Sequence, residues 1–311
     1  MAGAVNVRPA LRERILAAAQ ELGYERNLLA QSLRRGSSMS VGFVVRDIAN
    51  PIVAQVVLGA ERTLRHAGYA LSITNSEGDA DRDSEYVRFF RQRAVDGLLL
   101  SLSSEEHPPT IAELKSLSIP FVTVDRDLTD ELGGSSVLCD HALGIESAAR
   151  YLVSLGHRRI ALLAGPADLR PGRESARGLR QFCANSPDVD CVIEHGPPTI
   201  AFGDLAGSRL LSSADRPTAI IAGGYYILLG LAGSVKAFGL AFPKDLSVIA
   251  FDDVDSLAFF DPPIAAVSRE PLALGRAAAE ALLARLEGSR PETVVVRPNL
   301  KPRASCGPPP T

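Results

Sequence analysis

The feature that most constrains the fold is an alternation of short apolar segments with segments of helical periodicity, which runs through the chain twice. Apolar strands separated by amphipathic helices are typical of parallel sheets that carry helices on both faces. The first run reaches a strand at 121–124, and the pattern starts again with a helix at 144–155. The sequence therefore predicts an α/β fold of two doubly wound parallel-sheet lobes.

Each run contains four predicted strands. The first run has strands at 41–45, 69–74, 97–100 and 121–124, with helices at 52–65, 81–93 and 111–117. The second has strands at 160–163, 190–194, 218–222 and 248–251, with helices at 144–155, 172–184, 202–211 and 227–238. Ligands of such sheets bind beyond the carboxyl ends of the strands, so two facing lobes would form a binding cleft there.

Several functional classes are excluded by what the chain of 311 residues lacks. No apolar run is long enough to cross a membrane, and the first 30 residues do not resemble a secretory signal. There is no phosphate-binding glycine loop, no nucleophile elbow and no histidine pair at metal-ligand spacing. The four scattered cysteines fit buried or inert thiols in a reducing cytoplasm. We therefore predict a cytoplasmic protein with no catalytic residue, no metal and no cofactor.

Some polar features have two interpretations. His157 follows a glycine between a predicted helix and strand, where a structural role is favoured over catalysis. Asp252 and Asp253 end a strand at the expected cleft and could be acid/base groups. Ligand anchors or helix caps are the favoured interpretation, because no nucleophile or metal site accompanies them. The proline-rich tail after Pro298 is expected to be frayed.

The first 36 residues differ in charge from the remainder. They hold six arginines and three acids, a net charge of +3 in a chain whose net charge is −3. This pattern fits either a nucleic-acid contact or a solvated helix face. Two helices are predicted here, at 11–22 and 27–35, and the glycine and serines at 36–38 form a joint after the second. Leu29 and Leu33 share one face of the second helix.

The sequence resembles the lactose-repressor (LacI/GalR) family of bacterial transcriptional regulators. The matching segments occur in the family's order and cover nearly the whole chain: Arg12–Ile15, Glu21–Tyr24, Asn27–Arg34, Val41-Gly42, Asp47–Pro51, Val95–Leu99, Val124–Arg126, Leu155–Ala161, Gly165-Pro166, Pro243–Val248, Phe251–Asp253 and Pro262-Pro263.

The resemblance implies a homodimer that binds a double-stranded DNA operator and has no membrane contact. A hinge helix at 27–35 would enter the minor groove, with Leu33 wedged between base pairs. The hinge residues expected at DNA are Asn27, Leu29, Ala30, Ser32, Leu33 and Arg34. The alternative for the two leucines is a core role. Residues 37–311 would form a core similar to type I periplasmic binding proteins, which binds a small effector.

The resemblance also predicts the division of the chain. Residues 1–36 would be the remnant of a helix-turn-helix head with the hinge helix. Lobe 1 would comprise about 40–156 and 271–296, and lobe 2 about 157–270 and 297–311. The family has two helices before the one at 11–22, and the second of them reads bases. Met1 therefore resembles an internal methionine, and either the start codon is assigned too late or the protein is headless.

Nine residues are expected at the effector. By resemblance or by their position at the cleft, they are Ile52, Val53, Ser76, Arg126, Arg173, Ser175, Gly224, Tyr225 and Asp252. Ser175 stands where the family commonly has arginine, and Gly224 stands where it often has asparagine. Tyr225 adds an aromatic platform for a sugar or a flat effector.

The resulting hypothesis is a ligand-responsive DNA-binding regulator, a repressor, whose sugar-like effector controls operator binding through the hinge helix. The alternative is a headless small-molecule binding protein without specific DNA binding. An enzyme on the same fold is a weaker third interpretation, because no catalytic constellation is present.

Overall fold

The structure is a computed structural model that describes residues 9–21, 36–128 and 132–310. The chain divides into two units, Met1–Met39 and Ser40–Thr311. In the first unit, helix α1 spans Pro9–Glu21, close to the predicted 11–22, and its Leu11 side chain is exposed. The predicted hinge helix at 27–35, with its six expected DNA contacts, lies outside the described residues.

The second unit follows the predicted alternation. Its first part comprises β1 Ser40–Val45, α2 Pro51–His66, β2 Ala70–Asn75, α3 Ala80–Gln92, β3 Gly97–Leu100, α4 Pro108–Lys115, β4 Phe121–Val124 and β5 Ser135–Cys139. Its second part comprises α5 His141–Ser154, β6 Arg159–Ala164, α6 Arg170–Ala184, β7 Asp190–His195, α7 Ile200–Ser212, β8 Ala219–Ala222, α8 Tyr225–Ala237, β9 Ser247–Phe251 and β10 Ala265–Ser268. Helix α9 Pro271–Leu286 and strands β11 Thr293–Val296 and β12 Asn299–Lys301 complete it.

The strands form two six-stranded sheets, each the centre of one lobe. In lobe 1 the order is β11-β5-β4-β3-β1-β2 and every pair is parallel. In lobe 2 the order is β12-β10-β9-β8-β6-β7, and only β12 is antiparallel to its neighbour. The two doubly wound parallel-sheet lobes predicted from the alternation are thereby confirmed.

Alternate residues of the strands face opposite sides of each sheet. In lobe 1, Phe43 and Leu99 pack among the apolar side chains of α2 and α9, while Val44, Leu98 and Leu100 pack against α3 and α4. Apolar residues therefore fill consecutive positions, because both faces of a parallel sheet are covered by helices.

The chain passes between the lobes three times. It crosses after β5, after β10 and between β11 and β12. Helix α5 packs on the sheet of lobe 2, so the first crossing lies at Asp140 and not near 156 as predicted. Strand β5 was not predicted, because its buried Ser135 and Ser136 interrupt the apolar pattern. The hydroxyl of Ser136 compensates by lying 2.7 Å from that of Thr123 on β4.

Glycine residues at the contact between helices α2 and α9 allow the two backbones to approach closely. A Cβ atom on Gly59 would lie 2.2 Å from the carbonyl oxygen of Leu272, and one on Gly275 would lie 1.9 Å from that of Val56. Both neighbouring atoms belong to the backbone, so a side chain at either position would force the helices apart.

We expect Gly275→Ala to lower the free energy of unfolding by about 1–3 kcal/mol through overpacking. Gly233 on α8 is the matched control, because a Cβ atom placed there would meet nothing within 4 Å. Gly233→Ala is expected to raise stability by about 0.5–1 kcal/mol through helix propensity. Urea unfolding of both variants measures the two shifts, and shifts of the same sign would contradict this account of the contact.

The carboxyl-terminal segment is part of lobe 2, so the expectation of a frayed tail was wrong. Strand β12 pairs with β10, and Ser305 is fully buried. The Ser305 hydroxyl donates to the carbonyl of Val248 and accepts from the N–H of Ala265. His157 contacts the same segment, since its Nε2 lies 3.0 Å from the carbonyl oxygen of Gly307.

His157 has the structural role that the sequence favoured. Its Nδ1 lies 2.8 Å from the Thr218 hydroxyl, and its Nε2 also lies 3.0 Å from the Ser247 hydroxyl. Burial lowers the pKa of His157, and the hydrogen bond to Gly307 opposes this shift only in part. The folded protein therefore favours the neutral imidazole.

This depressed pKa predicts a pH dependence of stability. The unfolded chain binds the His157 proton more readily, so its contribution is present above about pH 6.5 and is lost as pH falls through the folded pKa. Urea unfolding measures the free energy of unfolding at pH 7.5 and at pH 5.5. Between these two pH values it should fall less for His157→Gln than for the unchanged protein. An equal loss in both proteins would contradict the prediction.

Two of the four cysteines differ from the expectation of buried or inert thiols. Cys183 at the end of α6 and Cys191 on β7 are joined by a disulfide, with their Cα atoms 6.5 Å apart. Cys139 and Cys306 are free.

Candidate functional site

A cavity of about 410 Å³ lies between the two lobes, where the carboxyl ends of their strands face each other. This is the position in which parallel sheets bind ligands. Seven of the nine predicted effector residues line it. They are Ile52, Val53 and Arg126 from lobe 1, and Ser175, Gly224, Tyr225 and Asp252 from lobe 2. Their contact with an effector stays a prediction.

The other two predicted residues do not line the cavity. Ser76 is fully buried behind the wall, and its hydroxyl lies 3.1 Å from that of Ser103. Arg173 is engaged with Glu105, at 3.1 Å between Nη2 and Oε2. Ser76 therefore lies outside the cavity lining, and Arg173 joins the two lobes.

The centre of the cavity wall is an ion cluster that sequence reasoning missed. Arg269, which follows β10, pairs with Asp125 from lobe 1 and with Asp252 from lobe 2. The distance from its Nε to Asp252 Oδ1 is 2.7 Å. Asp125 follows β4 and Asp252 follows β9, which are equivalent strands in the two sheets. A single guanidinium at a lobe crossing thus joins corresponding carboxylates of both lobes.

Both aspartates have left-handed backbone conformations, with φ of 58° at Asp125 and 87° at Asp252. Few residues other than glycine adopt the left-handed region, and those that do are frequent at functional sites. The turn directs each side chain from the end of its strand toward the cavity, which both residues line.

Asp125 is the most constrained group of the cluster. His141 Nε2 lies 2.8 Å from its Oδ2, and the N–H of Cys139 donates to Oδ1 at 3.0 Å. Burial by itself raises the pKa of Asp125, but His141, Arg269 and the Cys139 hydrogen bond outweigh burial and lower it well below its usual range. Burial likewise opposes the charge of Arg269, and the two aspartates raise its pKa above the usual value. Asp125 and Arg269 are therefore both charged at neutral pH.

A second contact between the lobes involves Glu105, a buried carboxylate of lobe 1. Its Oε1 accepts a hydrogen bond from the backbone N–H of Arg170, the first residue of α6, at 3.1 Å. Its Oε2 pairs with Arg173. Helix α6 has no cap from its own amino-terminal residue, so a carboxylate from the opposite lobe supplies one.

The rest of the cavity wall combines apolar and hydroxyl-bearing side chains. Phe43, Val56 and Phe251 provide apolar surface, and Thr199 provides a hydroxyl. The rings of Tyr225 and Tyr226 lie 5.7 Å apart at the start of α8. A pocket of this composition suits a small organic ligand with several polar groups.

The described residues contain no cluster of three or more His, Cys, Asp or Glu that could hold a metal ion. Among the same residues, no helix has the length and apolar character needed to cross a membrane.

Comparisons with known proteins agree with this architecture. A family model described as a periplasmic binding protein-like domain matches residues 149–306. The ribose operon repressor of Escherichia coli (strain K12) is 32% identical over 286 residues, covering 90% of this chain and 85% of that protein. The HTH-type transcriptional repressor PurR of Aliivibrio fischeri (strain MJ11) is 29% identical over 311 residues, covering 96% and 90%.

A solved structure gives the same result. The complex of the transcriptional regulator CelR with cellobiose superposes with a TM-score of 0.79 at 28% identity, covering 97% of this chain and 93% of that one. The identity and coverage of the ribose operon repressor, together with the family model, establish the relationship. This chain belongs to the lactose-repressor (LacI/GalR) family of transcriptional regulators.

Proposed function

We propose that this protein is a transcriptional repressor whose two-lobed core binds a small effector and thereby controls binding to an operator. The observation that carries the proposal is the cavity between two lobes that are joined through Arg269, since a ligand there contacts both lobes at once. The alternative of a binding protein without specific DNA binding is not favoured, because the relatives are repressors.

The mechanism is a shift between arrangements of the lobes. An effector that binds one arrangement more tightly displaces the equilibrium toward it. Lobe 1 follows the hinge segment directly in the chain, because β1 begins at Ser40. A coupling free energy of about 1–3 kcal/mol would change operator affinity about 5- to 150-fold, and DNA would change effector affinity by the same factor.

The effector is proposed to be sugar-like. Relatives include a ribose operon repressor and a regulator solved with cellobiose. In this chain, Ser175 and Thr199 line the cavity with hydroxyls, which both donate and accept hydrogen bonds as sugar hydroxyls require. Tyr225 offers a ring face against which a sugar can stack.

On the DNA side, we propose a cytoplasmic homodimer in which the two hinge segments enter the minor groove and Leu33 is the wedge. An apolar wedge costs a few kcal/mol of unstacking, which the additional contacts with bent DNA offset.

Sequencing of DNA that co-precipitates with the protein expressed from its own locus tests this function. We expect enrichment at discrete operators that changes when the effector is supplied. Leu33→Ala should reduce this enrichment and leave weak, sequence-independent DNA binding nearly unchanged. Enrichment that is indifferent to every sugar and sugar derivative supplied would argue against effector control, and equal loss of both kinds of binding would reject the wedge.

A further inference from the structure

We propose that the effector is a polyhydroxylated anion, a sugar phosphate or sugar acid, whose negative group binds beside Arg46. The proposal rests on the effector-binding function above and deepens it. Arg46 follows β1 and lines the cavity from lobe 1. It was not among the residues predicted to contact the effector.

The guanidinium of Arg46 makes no hydrogen bond and no ion pair with any residue that the structure describes. Burial lowers its pKa, although Asp47, Asp83 and Asp168 act on it from a distance in the opposite direction. A half-buried guanidinium without a counterion is unfavourable, because its desolvation is not offset by a partner. An anionic ligand would supply that partner.

A second guanidinium reinforces the positive charge on the same wall. Arg126 is 5% exposed and donates to two backbone carbonyls, those of Leu102 and Asp125, rather than to a carboxylate. Its Nη2 has no hydrogen-bond partner among the described residues. Burial lowers the pKa of Arg126, and the neighbouring charge of Arg46 adds to this shift, while Asp125 and Glu105 oppose it.

The carboxylates near these two arginines are engaged elsewhere. Asp125 and Asp252 pair with Arg269, Glu77 pairs with Arg82, and Glu105 pairs with Arg173. Asp83 is held by the N–H of Ser103 and does not line the cavity. Asp168 also acts on Arg46 but does not line the cavity. Asp47 lines the cavity and accepts from the N–H of Ala49, so among the described cavity-lining carboxylates it is the one outside an ion pair, and it stands beside two guanidinium groups that also form no ion pair within the described part of the chain.

The opposite wall adds a third favourable element. Helix α8 begins at Tyr225 in the cavity wall, and its amino-terminal residue Gly224 provides no side-chain cap. The first N–H groups of a helix carry a partial positive charge that attracts anions. An anion near Arg46 would thus have cationic groups on lobe 1 and a helix terminus on lobe 2, which favours closure around it.

Calorimetric titration of the full chain tests the proposal with matched probes, namely ribose, ribose 5-phosphate and ribonate, and glucose, glucose 6-phosphate and gluconate. We expect at least one anionic probe to bind about 10-fold or more tightly than its neutral counterpart, in line with charged hydrogen bonds. The phosphate and acid arms distinguish the two sources of charge. Failure of every anionic probe to bind, or tighter binding of the neutral sugar, would overturn the proposal.

Two variants separate ligand binding from structure. Arg46→Gln should lower the affinity for the anionic probe about 10- to 100-fold and change the affinity for the neutral sugar little. Arg65→Gln removes the same charge from an exposed pair with Glu61 outside the cavity and should change neither affinity. Equal weakening of both ligand types by Arg46→Gln would show a structural role and overturn the proposal.

Thermal unfolding of the ligand-free proteins gives an independent result. Arg46→Gln should melt at the same temperature as the unchanged protein or higher, because it removes an unpaired cation, and a lower melting temperature would contradict the proposal. A neutral sugar that changes operator occupancy would refute the anionic class and leave the repressor function intact. Operator occupancy that responds to no probe, despite anion binding, would refute the repressor function instead.

Discussion

Replacing Arg269 by methionine is expected to lower the free energy of unfolding by about 3–5 kcal/mol, the cost of leaving the buried Asp252 carboxylate without its partner. The substitution keeps most of the side-chain volume but leaves Asp125 and Asp252 facing each other without their shared guanidinium. Both carboxylates are at least nine-tenths buried, so water in the cavity replaces the lost interaction only in part. Urea unfolding at pH 7 measures the loss.

A matched control and a second variant keep this prediction testable. Arg276→Met on α9, the helix that follows Arg269 in the chain, removes a side chain that is 64% exposed and should change stability by less than about 0.5 kcal/mol. Arg269→Lys retains the charge and should recover part of the stability lost in Arg269→Met, although it loses the forked geometry. Equal effects of Arg269→Met and Arg276→Met would contradict the role of the cluster.

The loss in Arg269→Met should also depend on pH. The pKa of Asp125 is lowered in the folded protein, so its contribution is present above the unfolded pKa of about 4 and is lost as pH falls through the folded value. Without Arg269 the pKa of Asp125 should rise, and stability should decline less between neutral and acidic pH.

Replacing Glu105 by alanine is expected to loosen the contact between the lobes. The substitution removes the cap of α6 and the ion pair with Arg173. A hydrogen bond with a charged group contributes about 1.5–3 kcal/mol to stability, so the lobe contact should weaken by an amount of this order. Because these contacts join different lobes, the loss should appear mainly as a larger radius of gyration and only secondarily as a lower melting temperature. Small-angle scattering and thermal unfolding measure the two effects.

Glu113→Ala is the matched control for this experiment. Glu113 pairs with Arg88 and Arg91 inside lobe 1, so its removal should affect stability without changing the distance between the lobes. An unchanged radius of gyration in Glu105→Ala would show that the Glu105 contacts do not set the lobe arrangement.

The fold was predictable because its signal is local. Strands such as β1 and β3 are continuous apolar runs. In the helices between the strands, apolar residues recur every three to four positions. The partner of each helix was less predictable, since nothing in α5 itself indicates which sheet it covers. The place of the tail was also not readable from the sequence, because the buried hydrogen bonds of Ser305 involve residues about 40 to 60 positions away.

The site was predicted only in part, for a related reason. Residues at strand ends, such as Asp252 and Arg126, could be placed at the cleft from the topology alone. The partnership of Arg269 with Asp125 spans 144 positions and depends on the second crossing. A charged residue directly after a strand would have pointed to Arg269. Strand β10 was not among the predicted elements, so this indication was missed.

The three crossings have a consequence for synthesis of the protein. The edge strand of lobe 1, β11, and that of lobe 2, β12, are neighbours in the chain and follow every other strand that the structure describes. Neither sheet can acquire its final strand until the ribosome has translated all the earlier ones. The two lobes must therefore mature together late in synthesis, and a chain cut off before Thr293 would lack an edge strand in both sheets.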